Sequence, residues 1–186
     1  MNISLAIYES TRFLRENNIR NPKLDSEILM SKVLKKDRKY ILLNQNEKID
    51  KENLTRFEHL IKERRRGKPI AYIIGKKDFW KYEFNVTENV LIPRPDTEMI
   101  MDQVLKFTKN KSKLRVLDIG VGSGCLLLSI LKEKKNFSGV GVDISKKCLN
   151  ICEINSQKLV LNNRVKLFKS DIDNFNYGKY DLIISN

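Results

Sequence analysis

The chain has 186 residues, 41% hydrophobic and 32% charged, which is enough for one domain or two small ones. Its net charge of +13 is spread out: residues 1–75 carry 17 basic and 10 acidic groups, and residues 76–186 carry 19 and 13. Such a balance favours anionic partners, nucleic acid or an acidic protein, or else reflects solvated lysine-rich faces. No apolar run approaches the roughly 20 residues of a membrane span, and Met1-Asn-Ile-Ser-Leu5 lacks the pattern of a signal peptide. Cys125, Cys148 and Cys152 form no C-x-x-C pair and cannot complete a zinc set with the single histidine, His59. Such cysteine usage fits a reducing cytoplasm.

Residues 1–75 read as a small helical bundle. Ile3, Ile7, Phe13 and Leu14 recur at near-helical spacing up to Asn17-Asn18, Pro22 opens a second helix, and Leu24, Ile28, Leu29 and Val33 form its apolar stripe. Tyr40 to Leu43 reads as a short apolar turn. Asp50 can cap a helix carrying Leu54, Phe57, Leu60 and Ile61, which ends in Arg64-Arg65-Arg66-Gly67. Cations in a last turn suit the helix macrodipole. A solvated helix end is therefore the simpler reading of this run, with a phosphate site the alternative. From Asp78 the period changes to two: Trp80, Tyr82, Phe84 and Val86 alternate, Thr87-Glu-Asn89 turns, and Val90-Leu-Ile92 returns, a β-hairpin linker over residues 76–93. Pro93 and Pro95 hold Arg94 extended, and Asp96 or Thr97 can cap a helix carrying Ile100, Val104 and Leu105.

Residues 94–186 then alternate strand and helix: Val116–Ile119, a helix from Cys125 to about Leu131, Gly139–Val142, a helix from Lys146 to about Lys158, Val165–Phe168, and Leu182–Ser185. This alternation predicts an α/β fold with a parallel sheet and right-handed crossovers. The chain stops at Asn186, at the tip of the fourth strand, where an apolar strand would lie on a sheet edge. A fragment of a longer protein is expected on that ground.

The chemistry concentrates at Val116-Leu-Asp-Ile-Gly-Val-Gly-Ser-Gly124, a strand that breaks into glycines and re-emerges as a helix. Backbone N–H groups and a helix N-terminus meet a ligand at such an edge. A dinucleotide fingerprint needs G-x-G-x-x-G, but here Gly120, Gly122 and Gly124 alternate and Cys125 stands where the third dinucleotide glycine belongs. Asp118 precedes the turn by two residues; it would repel a pyrophosphate and suit an ammonium beside a sulfonium. The spacing thus favours S-adenosylmethionine over NAD. Asp143, ending the next strand, can take the ribose hydroxyls. Ser170-Asp171-Ile172, after the third strand, can meet the adenine amine and cover its ring. Each acid alone reads by default as a helix cap; three at the tips of three successive strands read as a nucleoside site.

These residues resemble the bacterial protein-(glutamine-N5) methyltransferases of the PrmC/HemK family. The likeness rests on Gly67-Lys-Pro-Ile-Ala-Tyr-Ile-Ile-Gly75, Phe79-Trp80, Leu91-Ile-Pro-Arg-Pro-Asp-Thr-Glu98, the turn from Asp118 to Gly124, and Ser185-Asn186, where the family has Ser-Asn-Pro-Pro-Tyr. The resemblance implies a Rossmann-like class I methyltransferase domain over residues 94–186, incomplete at Asn186. A helical, substrate-recognising bundle over 1–75 and the hairpin linker would precede it. It implies that Asp118, Ile119, Gly120, Val121 and Gly122 hold the methionine part of the cofactor, with Gly124 completing the turn. Asp143 would bind the ribose, and Asp171 and Ile172 the adenine, Ile172 standing where some members carry an aromatic residue. Asn186 would be catalytic and would touch both cofactor and substrate, with Arg94 a second substrate contact. The substrate implied is the Gly-Gly-Gln glutamine of peptide-chain release factors, methylated by a cytoplasmic monomer that needs neither membrane, metal nor nucleic acid. The prolines and tyrosine of the motif are missing, so this chain as given is expected to have little transferase activity. Rival readings are an adenine-N6 methyltransferase of nucleic acid, a ribosomal-protein glutamine methyltransferase, and a cofactor-binding module without catalysis.

Overall fold

The structure is a computed structural model of residues 1–186, and it divides into two compact units, Met1–Ile74 and Gly75–Asn186. The first unit is all-helical: α1 (Ile3–Glu16), α2 (Pro22–Leu34), α3 (Arg38–Leu43), α4 (Lys51–Arg65) and α5 (Ile70–Ile74). Asn2, Asp37 and Asp50 cap α1, α3 and α4 by accepting from backbone N–H groups three residues on, which satisfies donors the helix itself leaves free. Leu14, Leu29, Met30, Ile41 and Phe57 lie in its core. The segment Tyr40–Leu43, expected as a turn, is instead the body of α3, because Asp37 accepts from Tyr40 N–H at 2.7 Å and nucleates a helical turn.

The arginine run at the end of α4 is solvated at Arg65 and Arg66, both exposed, but not at Arg64. Arg64 turns inward and its Nε lies 2.7 Å from the buried Asp25 carboxylate, while its Nη1 donates to Lys68 O. Arg65 donates to Asn17 and stacks on Phe13, and Arg66 pairs with Glu63. The three guanidinium groups thus tie α4 to α1, α2 and its own C-terminus.

The second unit begins with a hairpin, β1 (Lys76–Phe79) and β2 (Tyr82–Asn85), joined at Trp80-Lys81. The alternating run from Trp80 to Val86 predicted one strand, with Val90–Ile92 as its partner. The structure instead turns at Trp80, and Val90–Ile92 is irregular. Trp80 adopts φ +56, which costs free energy for a bulky side chain. Two carboxylates hold it there: Glu98 accepts from Trp80 N–H at 2.7 Å and Glu133 from the indole N–H at 3.1 Å. Phe79 and Phe84 are fully buried in the same core as Leu127, Leu128 and Cys152, so the hairpin is part of this unit rather than a free-standing linker.

A short 3₁₀ turn (Pro95–Thr97) leads into α6 (Glu98–Phe107). Then β3 (Arg115–Ile119), α7 (Cys125–Glu133), β4 (Ser138–Asp143), α8 (Lys146–Lys158), β5 (Val165–Lys169) and β6 (Leu182–Ser185) build a four-stranded parallel sheet in the order β5-β4-β3-β6. The crossover order puts β3 between β4, the next strand in the chain, and β6, the last, with both pairs parallel. Strand alternation divides β3 between two cores. Val116 joins the core containing α7 and α8, and Leu117 joins Val140 and Val142 under Phe168, Phe175 and Tyr180. This is an α/β, Rossmann-like architecture with a parallel sheet, preceded in the chain by a helical bundle and a β-hairpin.

Candidate cofactor and acceptor site

Ligands of doubly wound sheets bind outside the carboxyl ends of the strands, where the strand order reverses. Here that point is the tip of β3, between β4 and β6. The turn leaving β3 is latched to β4: Gly120 N–H and Val121 N–H donate to Val142 O at 2.8 and 3.0 Å, and Gly122 N–H donates to the Asp143 carboxylate at 3.0 Å. Gly120, Gly122 and Gly124 all have positive φ, a conformation that other residues enter only with strain. At Gly120 an added Cβ would meet nothing within 4 Å, so the backbone there faces open space; at Gly124 it would lie 2.6 Å from Cys152 Sγ. The first glycine keeps room for a ligand, and the third lets α8 approach the turn.

Asp118 is 3% exposed, on the face of β3 that meets the start of α7. Burial, reinforced by the nearby Asp143 charge, pushes its carboxyl up to about 7, against the Leu127 backbone N–H, which favours the ionised form. A buried acid at the strand tip with this little compensation is matched to a cationic ligand group. Burial and the Asp118 charge likewise push the Cys125 thiol up to about 11, so it stays protonated and is no nucleophile.

Asp143 does not cap α8. Ser145 does, accepting from Cys148 N–H, while Asp143 accepts from Ser145 N–H at 2.8 Å and from Gly122. The carboxylate therefore fixes the glycine turn and the entry to α8 together, with lone pairs to spare. The third strand tip is arranged differently. Asp171 is exposed and bonded to Asn174 through its backbone and side-chain N–H groups, which hold its carboxyl below the usual range. Ile172 is 48% exposed, and neither residue lines the cleft at the β3 tip.

That cleft is walled by the glycine turn and Asp118 on one side and by Leu91–Arg94, Thr97 and Asn186 on the other. It thus gathers Asp118, Gly120, Val121, Gly122, Arg94 and Asn186. Ile119 points to the opposite face, against Leu117 and Phe168, and Gly124 lies behind the turn. The wall also contains residues that the sequence does not mark as site residues: Leu91, Ile92, Pro93, Thr97, Ser123, Cys125 and Leu126. Neither Asp96 nor Thr97 makes a side-chain cap to α6; the Thr97 hydroxyl instead accepts from Asn186 Nδ2 at 2.7 Å. The signal for Thr97 lay in the Pro93–Glu98 run, whose two prolines mark a backbone held for a purpose beyond ending a loop.

The profile of the PrmC N-terminal domain matches residues 6–75, and that of a methyltransferase domain matches residues 110–186. A release factor glutamine methyltransferase of Buchnera aphidicola subsp. Schizaphis graminum is 38% identical over 186 residues, all of this chain and 66% of that protein. Proteins of the same name from Caulobacter vibrioides and Clostridium acetobutylicum are 33% and 36% identical, over 93% and 100% of this chain and 60% and 66% of their own lengths. The chain thus spans slightly less than two thirds of these relatives. Among solved structures, a SAM-dependent methyltransferase from Geobacter sulfurreducens in complex with S-adenosyl-L-homocysteine aligns over 50% of this chain and 36% of its own, at 22% identity and a TM-score of 0.42. With matches to the PrmC N-terminal domain and to a methyltransferase domain, and likeness to these relatives along this chain, the chain belongs to the PrmC/HemK family.

Proposed function

We propose that the whole protein transfers a methyl group from S-adenosylmethionine to the side-chain amide nitrogen of the glutamine in the Gly-Gly-Gln motif of peptide-chain release factors, as a cytoplasmic monomer. The observation that carries this reading is that Asn186, at the end of β6, and the Asp118–Gly122 turn wall one cleft. A cofactor-type half-site and a polar acceptor group thus face the same space. The names borne by its relatives supply the substrate class.

The residues fit the cofactor. Asp118 offers a buried negative charge to the methionine ammonium, and Gly120 leaves the backbone open where that group would lie. Val121 and Gly122 carry the rest of the wall, with Gly124 closing it from behind and Ile119 anchoring the strand end on the opposite face. Asp143 has acceptor capacity beyond its two backbone bonds for the ribose hydroxyls. Asp171 and Ile172 are the candidates for the adenine amine and ring. When bound, the cofactor supplies an electrophilic methyl on a sulfonium. A glutamine amide nitrogen is a weak nucleophile because its lone pair is delocalised into the carbonyl. Asn186 Oδ1 accepts an amide N–H and aims the nitrogen along the methyl–sulfur axis, and Arg94, exposed at the cleft mouth, steadies the incoming peptide. Positioning of this kind is worth up to about 7–11 kcal/mol of barrier. That nitrogen would take the methyl from the cofactor held there, and the amide proton would leave to solvent.

The basic bundle is the docking face for the acidic release factor. The full-length protein incubated with labelled S-adenosylmethionine and either release factor or RNA tests the reading. Label on the Gly-Gly-Gln glutamine supports it; label on RNA alone overturns it in favour of a nucleic-acid methyltransferase.

A further inference from the structure

The run Arg94-Pro-Asp-Thr-Glu98 is built unlike an ordinary helix start. Thr97 occupies the N-cap position of α6, yet its hydroxyl makes no cap, and Glu98 reaches away from the helix to accept from Trp80 N–H at 2.7 Å. Pro95 fixes the backbone into a 3₁₀ turn closed by Thr97 N–H donating to Arg94 O at 3.1 Å. Thr97 is 7% exposed, so its hydroxyl is held in a packed wall rather than free to rotate into solvent. The one side chain bonded to it is Asn186, 89 residues away, whose Nδ2 donates at 2.7 Å.

We propose that Thr97 is a positioning residue for the acceptor group: its hydroxyl bonds the Asn186 amide and fixes where that side chain stands in the cleft wall. Asn186 is exposed at the end of β6, so without this bond its side chain is free to leave the wall for solvent. Holding it sets the place at which a substrate N–H meets the Asn186 amide. Glu98 supports the device indirectly, by clamping the strained hairpin turn against the first residue of α6. This deepens the proposed function and rests on its assignment of Asn186.

The test uses the full-length protein and three forms: wild type, Thr97→Val and Thr97→Ser. Valine keeps the shape of threonine but removes the acceptor; serine keeps the acceptor and loses a methyl. Three quantities are measured: binding of S-adenosylhomocysteine by calorimetry, kcat for methylation of a release-factor Gly-Gly-Gln substrate, and KM for that substrate. The expected result for T97V is unchanged affinity for S-adenosylhomocysteine with kcat lowered about 100-fold, the scale of loss when a reacting group is misplaced by about an ångström. T97S should recover most of that loss. A T97V enzyme with kcat near wild type, or a T97S enzyme as impaired as T97V, overturns the positioning role. If T97V loses affinity for S-adenosylhomocysteine in the same proportion as kcat, Thr97 is only part of the wall and the proposal fails too. If the wild type binds S-adenosylhomocysteine but never labels a glutamine, the functional reading falls, and the Thr97 proposal falls with it.

Discussion

Asp118 sets stability against function, and Asp118→Asn separates the two. In the cofactor-free protein the carboxyl is raised from 3.8 to about 7 by burial and by the Asp143 charge. The folded chain therefore holds this proton more tightly than the unfolded chain does. Below pH 3.8 both states are protonated and the group is neutral to stability. Between pH 3.8 and about 7 the unfolded chain has already lost the proton, so the stability contribution falls steadily as pH rises. Above about 7 it is flat. At about 1.4 kcal/mol per pH unit, ionised Asp118 costs about 4 kcal/mol at pH 8. Asparagine keeps the shape and can accept the Leu127 N–H, but never ionises. The D118N protein should match wild type near pH 4 and exceed it in stability by up to about 4 kcal/mol at pH 8. Trp80 is the chain's one tryptophan and lies in the second unit, so its fluorescence during urea unfolding reads the unit that contains Asp118. The same substitution should weaken S-adenosylhomocysteine binding by about 10- to 150-fold, the worth of one charge-assisted hydrogen bond. An N–D stability gap that is equal at pH 5 and pH 8, or a D118N protein less stable than wild type at pH 8, would refute the account of Asp118 as a strained acid awaiting a cation.

Three further expectations follow from contacts of single side chains. Asn155 is fully buried and meets Asn85 N–H and C=O and the Ser123 carbonyl at 2.7–3.0 Å. Asn155→Ala strands all three backbone groups, so a loss of about 3 kcal/mol is expected in urea unfolding. Gly124→Ala puts a Cβ 2.6 Å from Cys152 Sγ at φ +79. It should cost about 1–3 kcal/mol from the clash, plus strain, and Cys152→Ala in the same chain should recover part of the loss, which thermal melts of the single and double variants would read. Arg64→Ala leaves the buried Asp25 carboxylate without its guanidinium, and about 3–5 kcal/mol should be lost from the helical unit by circular dichroism; adding Asp25→Asn should restore a good part.

What the sequence made legible was what is local in it. The strand-to-glycine turn, the acids at strand tips and the helix caps are decided within a few residues, so Asp118, Gly120, Gly122 and Asp143 could be placed from spacing alone. The failures share a different cause. Alternation from Trp80 to Val86 reads as one strand with Val90–Ile92 as its partner, so the true first strand, Lys76–Phe79, goes unseen; nothing within ten residues says that Glu98 and Glu133 hold Trp80 at positive φ. Arg64 reads as solvated because its partner, Asp25, is 39 residues away. Thr97 was read as a cap because capping is the default local use of a threonine before a helix; its partner is 89 residues on.

The two halves of the site also differ in how their geometry is enforced. The cofactor wall is held by backbone: the turn is latched to Val142 O and Asp143, so most substitutions outside the glycines and acids would leave its shape intact. The acceptor wall is held by side chains that meet across the fold, Thr97 on Asn186 and Glu98 on Trp80. A backbone-built wall tolerates sequence drift, whereas a side-chain-built one needs particular residues at particular places. That difference accounts for why Asp-x-Gly-x-Gly marks only the broad methyltransferase class, while Leu91–Glu98 is specific. The longer run holds the Asn186 side chain through Thr97 and the hairpin turn through Glu98.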